Sequence, residues 1–312
     1  MNRHVVNRAV TALAIAIVCG AGIGCKDRDV PPRNRLWDQV VTWAEPSVEI
    51  GPHDQLDEAL RLVARNDAIR DTWDKSDKAP VESEPDDIAK AANKLIAWHA
   101  GQGGIRRNSC ADLEQQVDPN RLDLLTLARG ALLWAPSNPD DPRVAAVLYL
   151  GHRLRSEGHT LLDAMIGLSI TADAVEWAKA RKVAAGQAFR THAPPGDLAF
   201  RAYASEAVCQ VAMLDSLLVQ PERARKDLEV GSIKLLGDEI ERIRYFNQQL
   251  VHGLNARRGD RKAMSDFIRQ QHAAASKQDD PLRLFQMMGV ARNLGDDINK
   301  HLDEYEAFLA GN

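Results

Sequence analysis

The chain has 312 residues, of which 45% are hydrophobic and 5% aromatic. Those values allow a globular core built as one large domain or two small ones. The 40 Lys and Arg residues against 44 Asp and Glu residues give a net charge of −4, which argues against nucleic-acid binding because such domains carry a basic face. Ala and Leu dominate the apolar residues, and long alternating β-branched runs are missing, so an all-α fold is predicted.

The first residues have the layout of a secretory signal. Residues 1–8 carry Arg3 and Arg8, residues 9–18 are apolar, and residues 20–24 are mostly small. The uncharged run over residues 9–24 spans 16 residues, whereas a membrane-spanning helix needs about 20. A cleaved signal peptide is therefore favoured, and a retained N-terminal anchor stays an alternative.

The run ends in Gly22-Ile23-Gly24-Cys25, which resembles the lipobox of bacterial lipoproteins. Gly24 and Cys25 match the motif, while Gly22 stands where Leu is usual. The resemblance implies cleavage before Cys25 and lipid attachment to its sulfur. In that family, Asp immediately after the lipidated cysteine favours retention in the inner membrane. Here the residue is Lys26, so the resemblance implies the periplasmic face of the outer membrane. Ordinary signal cleavage, which also requires small residues at positions 22 and 24, would instead release the protein.

The remaining chain divides into a tether and a helical domain. Residues 25–35 are charged and contain proline, which is typical of a solvated linker between a lipid anchor and a folded body. Residues 36–312 are predicted to form an all-α helical-hairpin array or bundle. A sub-boundary within this domain is suggested near residues 74–86, which are polar and contain two prolines.

Two cysteines remain once Cys19 leaves with the signal peptide and Cys25 is lipidated. They are Cys110 and Cys209, an even pair in an oxidising compartment, and a disulfide between them is one prediction. The alternative is that Cys209, which lies in an apolar helical run, is a buried free thiol. A redox role is not predicted because no C-x-x-C motif occurs.

Caps, prolines and apolar periodicity predict the helices in chain order. Asp54 caps a helix that runs to Trp73, Pro142 lies in the first turn of another, and Thr160 begins a third that runs to about Gly186. The predicted helices cover residues 34–44, 54–73, 87–100, 119–135, 142–158, 160–186, 198–219, 221–258, 261–276 and 282–309.

Two of these helices have distinctive faces. The helix that begins at Thr160 is apolar nearly all round in its first half, which predicts a central buried element, and Ala164, Gly167 and Thr171 form a small-residue stripe for close helix approach. The helix over residues 221–258 carries a heptad-like seam. Packing of that seam within the chain is favoured over pairing with a second copy. The seam residues are Ile233, Leu236, Ile240, Ile243, Asn247, Leu250 and Leu254.

The segment from Leu124 to Trp177 resembles the helical-hairpin units of tetratricopeptide-like exported proteins. The stretches LLTLARGALLWA, AAVLYLGHRL and TLLDAMIGLSI carry the resemblance, which covers about a sixth of the chain. The Trp, Gly, Tyr and Pro positions of the repeat are not in register. The resemblance implies a helical stack and no activity.

Few residues suggest chemistry. His152 and His159 could bind a metal with Glu157, but no known ligand spacing supports this, so no metal or cofactor is predicted. Asp163 and Asp173 could act as an acid–base pair, or could serve as a helix cap and an ion-pair partner. Candidate partners for the carboxylates are Arg129, Arg153 and Arg155. No catalytic residue is predicted.

The sequence therefore favours a non-enzymatic lipoprotein of the cell envelope. It would be held to the membrane by its lipidated N-terminus and would bind a protein partner or act as a scaffold. One alternative is a ligand-binding helical bundle that uses the buried helix and Asp163. Another is an envelope hydrolase that uses Asp163 and Asp173.

Overall fold

The computed structural model describes residues 36, 40, 54–64, 66–74, 83–105, 122–158, 160–219, 233–277 and 294–311. These residues form helices and connecting turns and contain no strand, which confirms the predicted all-α fold. The helices longer than a single residue are α1 (Asp54–Val63), α2 (Asp67–Trp73), α3 (Asp86–Ala100), α4 (Asp123–Leu133), α5 (Pro142–Glu157), α6 (Leu161–Ala180), α7 (Gln187–Thr191), α8 (Leu198–Val219), α9 (Ile233–Asn255), α10 (Arg261–Ser276) and α11 (Leu294–Leu309).

Local sequence explains where several helices begin. The Asp141 side chain accepts a hydrogen bond from the Arg143 amide ahead of Pro142, and Thr160 caps α6 through the Asp163 amide. The prediction of one helix from Asp54 to Trp73 is wrong, because α1 ends at Val63 and α2 begins at Asp67. Asn66 explains the break, since its side chain accepts from the Ile69 amide and so caps a new helix.

The chain divides into two compact units. Of the described residues, those within 47–107, 118–198 and 297–312 form unit I, and those within 1–46 and 199–296 form unit II. Unit I therefore contains α1 to α7 and most of α11, while unit II contains α9, α10 and nearly all of α8. Each unit is assembled from segments that are distant in the chain.

The core of unit I surrounds α6, as the apolar first half of that helix predicts. Thirteen positions of α6 are buried, among them Asp163, Gly167 and Thr171. The helices α5 and α6 approach closely where Gly151 meets Gly167: a Cβ atom at Gly167 would lie 2.7 Å from the Gly151 carbonyl oxygen. The predicted small-residue stripe is confirmed at this crossing. The largest fully buried side chains of the unit include Trp73, Trp98, Trp177 and Phe189.

Unit II is built around α9 and its hairpin with α10. The seam residues Ile243, Leu250 and Leu254 are at most 2% exposed, and Asn247 is fully buried. The Asn247 Nδ2 atom donates to Gln210 Oε1 of α8 at 3.5 Å, so at this position the seam packs within one chain. Nothing is described of the side chains of residues 233–240, where the seam begins.

Several predicted features lie outside the described residues. They are the signal peptide at residues 1–24, the lipid site Cys25, the whole tether to residue 35, Cys110, His159 and most of the segment 74–86. Among the helices that the structure does describe, none combines the length and apolarity needed to cross a bilayer.

Candidate functional site

The two acidic residues proposed as a catalytic pair have structural roles. Asp163 completes a capping box, in which its Oδ2 accepts from the Thr160 amide at 3.4 Å, and it also accepts from the Thr160 hydroxyl at 3.1 Å. Asp173 accepts from Arg129 Nε at 2.7 Å and is 6% exposed. Ten residues of α-helix separate them by about 15 Å along the axis. The fold therefore does not bring them together, and Asp163 is held at the start of α6 by its cap.

The structure instead brings three histidines and a tyrosine to one place in unit I. We call this group, His99, Tyr149, His152 and His192, the histidine cluster. His99 lies in the last turn of α3, Tyr149 and His152 lie on α5, and His192 follows α7. All four side chains are half-buried. The cluster thus joins elements that are far apart in the sequence.

Ring distances define the cluster. The His192 ring centroid lies 5.5 Å from that of His152, 5.6 Å from that of Tyr149 and 6.2 Å from that of His99. The rings of His99 and Tyr149 are 4.8 Å apart. His192 therefore stands at the centre of a group of tilted and edge-on aromatic rings, an arrangement that aromatic quadrupoles favour.

The turn after α3 positions one side of the cluster. The Tyr149 hydroxyl donates to the Gly103 carbonyl at 3.2 Å, and Trp98 Nε1 donates to the Gly104 carbonyl at 3.1 Å. A Cβ atom at Gly103 would lie 2.0 Å from the Trp98 ring. Only glycine fits at position 103, so the Gly101-Gln102-Gly103-Gly104 turn packs on Trp98 and holds Tyr149 beside His99.

Arg155 lies behind the cluster with its side chain buried. It is 5% exposed, and it donates to the Gly167 carbonyl at 3.0 Å, to the Thr171 hydroxyl, and to the His192 carbonyl at 2.8 Å. No carboxylate of the described residues forms an ion pair with it. A buried guanidinium is normally paired with an acid, so this one is a departure from the usual pattern.

The neighbouring charges on α5 are already matched. Arg153 forms an ion pair with Glu157, and its guanidinium carbon lies 5.5 Å from the centre of the Tyr149 ring. Of the sequence's candidate arginines, Arg129 pairs with Asp173, whereas Arg155 pairs with neither Asp163 nor Asp173. Arg155 is therefore the positive charge near the cluster that no acidic side chain of the described residues balances.

Burial sets the protonation of the cluster. It lowers the pKa values of His99 and His152, and Arg155 and Arg153 lower that of His152 further. The pKa of His192 falls to about 4, first through burial and then through His152, His99 and Arg155. Burial also lowers the pKa of Arg155, to about 10. At neutral pH the three imidazoles are neutral and Arg155 is charged.

The predicted grouping of His152 with His159 and Glu157 is only partly described. Glu157 pairs with Arg153, His152 faces His192, and His159 lies outside the described residues. Within the part of the chain that the structure covers, no three side chains of His, Cys, Asp or Glu are placed to hold a metal ion. Sequence reasoning missed His99 and His192, which no spacing in the chain links to His152.

Cys209 of unit II is 3% exposed and forms a disulfide. The bond excludes a free thiol at this position, which was the alternative reading of the sequence. Its partner lies outside the described residues, so the pairing with Cys110 stays a prediction.

No protein-family model matches the chain, and neither a curated protein nor a solved structure is significantly similar to it. The function is therefore inferred from the residues themselves.

Proposed function

We propose that this chain is a lipoprotein of the bacterial cell envelope, anchored through Cys25, whose helical body binds a protein partner without catalysing a reaction. The single observation that carries the anchor is the order of a basic start, an apolar run and the sequence Gly22-Ile23-Gly24-Cys25. The charged, proline-bearing residues 26–35 support it, because they suit a tether between lipid and folded body.

The energetics of acylation explain how such an anchor would hold. Each methylene group buried in the bilayer contributes about 0.8 kcal/mol, so one acyl chain binds only marginally while two or three fix a protein in the leaflet. A diacylglycerol on the Cys25 sulfur, with a further chain on its amine, would supply that number. The outer membrane is the proposed location because Lys26, rather than Asp, follows the cysteine.

The case for binding rather than catalysis rests on the acidic residues. Asp163 and Asp173, which a hydrolase would need in one cleft, serve a helix cap and an ion pair. Stacked helices also offer extended surfaces of the kind that helical-repeat proteins use to bind partners. A non-catalytic role fits these observations better than an acid–base mechanism does.

Fractionation with a matched pair of cysteine variants tests the anchor. Cys25→Ser is expected to lose the acyl mass and move from the membrane to the soluble fraction, whereas Cys19→Ser, altered within the segment to be removed, is expected to stay membrane-bound and acylated. Intact mass spectrometry of the native protein should find Cys25 as the first residue. A native N-terminus elsewhere, or a Cys25 that carries no lipid, would refute the anchor.

Crosslinking tests the binding role separately. Mild crosslinking of intact cells, followed by purification under denaturing conditions, is expected to recover one envelope protein in constant proportion to this chain. The Cys25→Ser variant serves as the control, because loss of the anchor removes it from that partner's membrane. A chain that is recovered uncrosslinked from both would contradict the scaffold role.

A further inference from the structure

We propose that His152 and His192, backed by the buried guanidinium of Arg155, form a binding site for a small oxyanion of the phosphate class. The inference concerns the histidine cluster of unit I and does not depend on the lipid anchor or on a protein partner.

The charge of Arg155 has no counter-ion among the described residues. Its three acceptors are the neutral oxygens of Gly167, Thr171 and His192. Burying a charge without a partner of opposite sign is unfavourable. An anion bound nearby would supply the missing negative charge, and the half-buried rings of His152 and His192 lie close enough to Arg155 for its charge to lower their pKa values.

Arg155 also retains hydrogen-bonding capacity. A guanidinium has five N–H donors, and the contacts described use both protons on Nη1 and one on Nη2. Nε is buried and has no hydrogen-bond partner. Nε and Nη2 lie on the same edge of the guanidinium, which is an edge that binds oxyanions in a bidentate manner. An unsatisfied donor on a charged, buried group is a feature that points to a ligand.

His152 and His192 provide the accessible part of the site. Their ring centroids are 5.5 Å apart, a separation that leaves one oxyanion within reach of an N–H from each ring. Both rings are neutral at pH 7 because burial and Arg155 lower their pKa values. An anion reverses this effect, so binding is coupled to uptake of protons. One imidazole protonated in this way and the Arg155 guanidinium together carry two positive charges, which match a dianion better than a single carboxylate.

The groups that surround the site leave its excess charge positive. On α5 these are Arg153 and Glu157, which neutralise one another. From α3 comes His99, and from α11 the Tyr305 hydroxyl, which is neutral and donates to the Phe189 carbonyl at 2.5 Å. No acid among the described residues pairs with Arg155, and a cation would be repelled by it. The balance of charge therefore favours an anion over a metal ion.

Calorimetric titration of the purified full chain with sodium sulfate tests the proposal. Sulfate is the probe because it stays a dianion between pH 5.5 and 7.0, so that any pH dependence belongs to the protein, and sodium chloride holds the ionic strength constant. Uptake of one proton on binding is expected to tighten the Kd about tenfold per pH unit. Phosphate should compete for the site, and acetate should not.

Variants identify the site. His152→Gln and His192→Gln should each weaken sulfate binding at pH 5.5 by about tenfold and flatten its pH dependence, and the exposed His252→Gln is the matched control with no change. Because both rings are only half-buried, the two cluster variants are expected to fold, and circular dichroism would verify this. Arg155→Met should abolish binding if it folds, and the histidine variants decide the matter if it does not.

A vesicle-binding experiment distinguishes a lipid headgroup from a soluble phosphate compound as the source of the anion. Lipid-free protein carrying Cys25→Ser is mixed with vesicles of phosphatidylglycerol or of phosphatidylcholine. If the protein floats with either vesicle type, and if added sulfate or His192→Gln prevents this flotation, the bound anion is a lipid headgroup. If the protein binds sulfate but does not float with vesicles, the anion is a soluble phosphate compound. Sulfate binding that is absent, or that both histidine variants leave unchanged, would overturn the proposal, as would zinc binding at the cluster in place of sulfate.

Discussion

Replacing Gly167 with Ala would test the close crossing of α5 and α6. The new Cβ atom would lie 2.7 Å from the Gly151 carbonyl oxygen and 2.9 Å from Arg155 Cγ, whereas ordinary contact begins near 3.4 Å. The helices would have to separate by about 0.7 Å, since a carbonyl in a helix backbone cannot rotate away as a side chain can. That shift would stretch the 3.0 Å bond from Arg155 Nη1 to the Gly167 carbonyl beyond hydrogen-bonding distance.

Opposing effects determine how much Gly167→Ala changes the free energy of unfolding. Ala is favoured over Gly in a helix interior by about 1 kcal/mol. Overpacking a core costs about 1–3 kcal/mol, and losing a hydrogen bond from a charged donor costs about 1.5–3 kcal/mol. These effects sum to a loss of about 3 kcal/mol in the free energy of unfolding, or a fall in Tm of roughly 6–12 °C for a unit of this size.

Urea and thermal unfolding followed by circular dichroism would measure the change. Gly101→Ala is the matched control, because its Cβ atom would meet nothing closer than the Ala97 carbonyl at 3.4 Å, and its effect should stay within about 0.5 kcal/mol. If Gly167→Ala were as stable as the parent chain, the close approach of the two helices would be wrong, and with it the backbone support of Arg155.

Two further predictions concern the same unit. The pKa of His192 is about 4 in the folded chain, below the usual value of 6.5, so the unfolded chain binds protons first and the free energy of unfolding falls as pH drops from about 6.5 towards 4. Because the ring is half-exposed, the expected loss is about 1–2 kcal/mol. Urea titrations at pH 5 and pH 7 should show a smaller difference for His192→Asn than for the parent chain. Thr160→Ala removes the cap of α6 and should reduce the free energy of unfolding by about 1 kcal/mol, while Thr191→Ala, at an exposed position, should leave it nearly unchanged; equal effects of the two would contradict the capping role.

Features that depend on neighbours in the chain could be read from the sequence. The cap at Thr160, the proline at the start of α5 and the stop at Gly101 each act within a few residues. The seam of α9 could also be predicted, since the spacing of a heptad pattern lies within the sequence of a single helix. Where the local signal was weaker the prediction failed, as at Asn66, whose cap divides a segment with continuous apolar spacing.

The histidine cluster was not predictable because no local rule connects its members. His99, His152 and His192 come from three elements, and their approach depends on how α3 and α5 pack and on where the chain runs after α7. The environment of Arg155 was equally hidden: the sequence offered it an acid on α6, and the fold gave it carbonyl and hydroxyl oxygens instead. Tertiary packing, rather than pattern, decides both.

Unit I closes on residues from the end of the chain. The Tyr305 hydroxyl bonds to the Phe189 carbonyl, and the Phe308 ring packs edge-on against Phe189 with 5.1 Å between ring centroids. During translation these partners are joined only after residues 199–296 have been synthesised between them. A nascent chain that has left the ribosome as far as α10 still exposes the apolar surface around Phe189, a kind of surface that favours aggregation until α11 covers it.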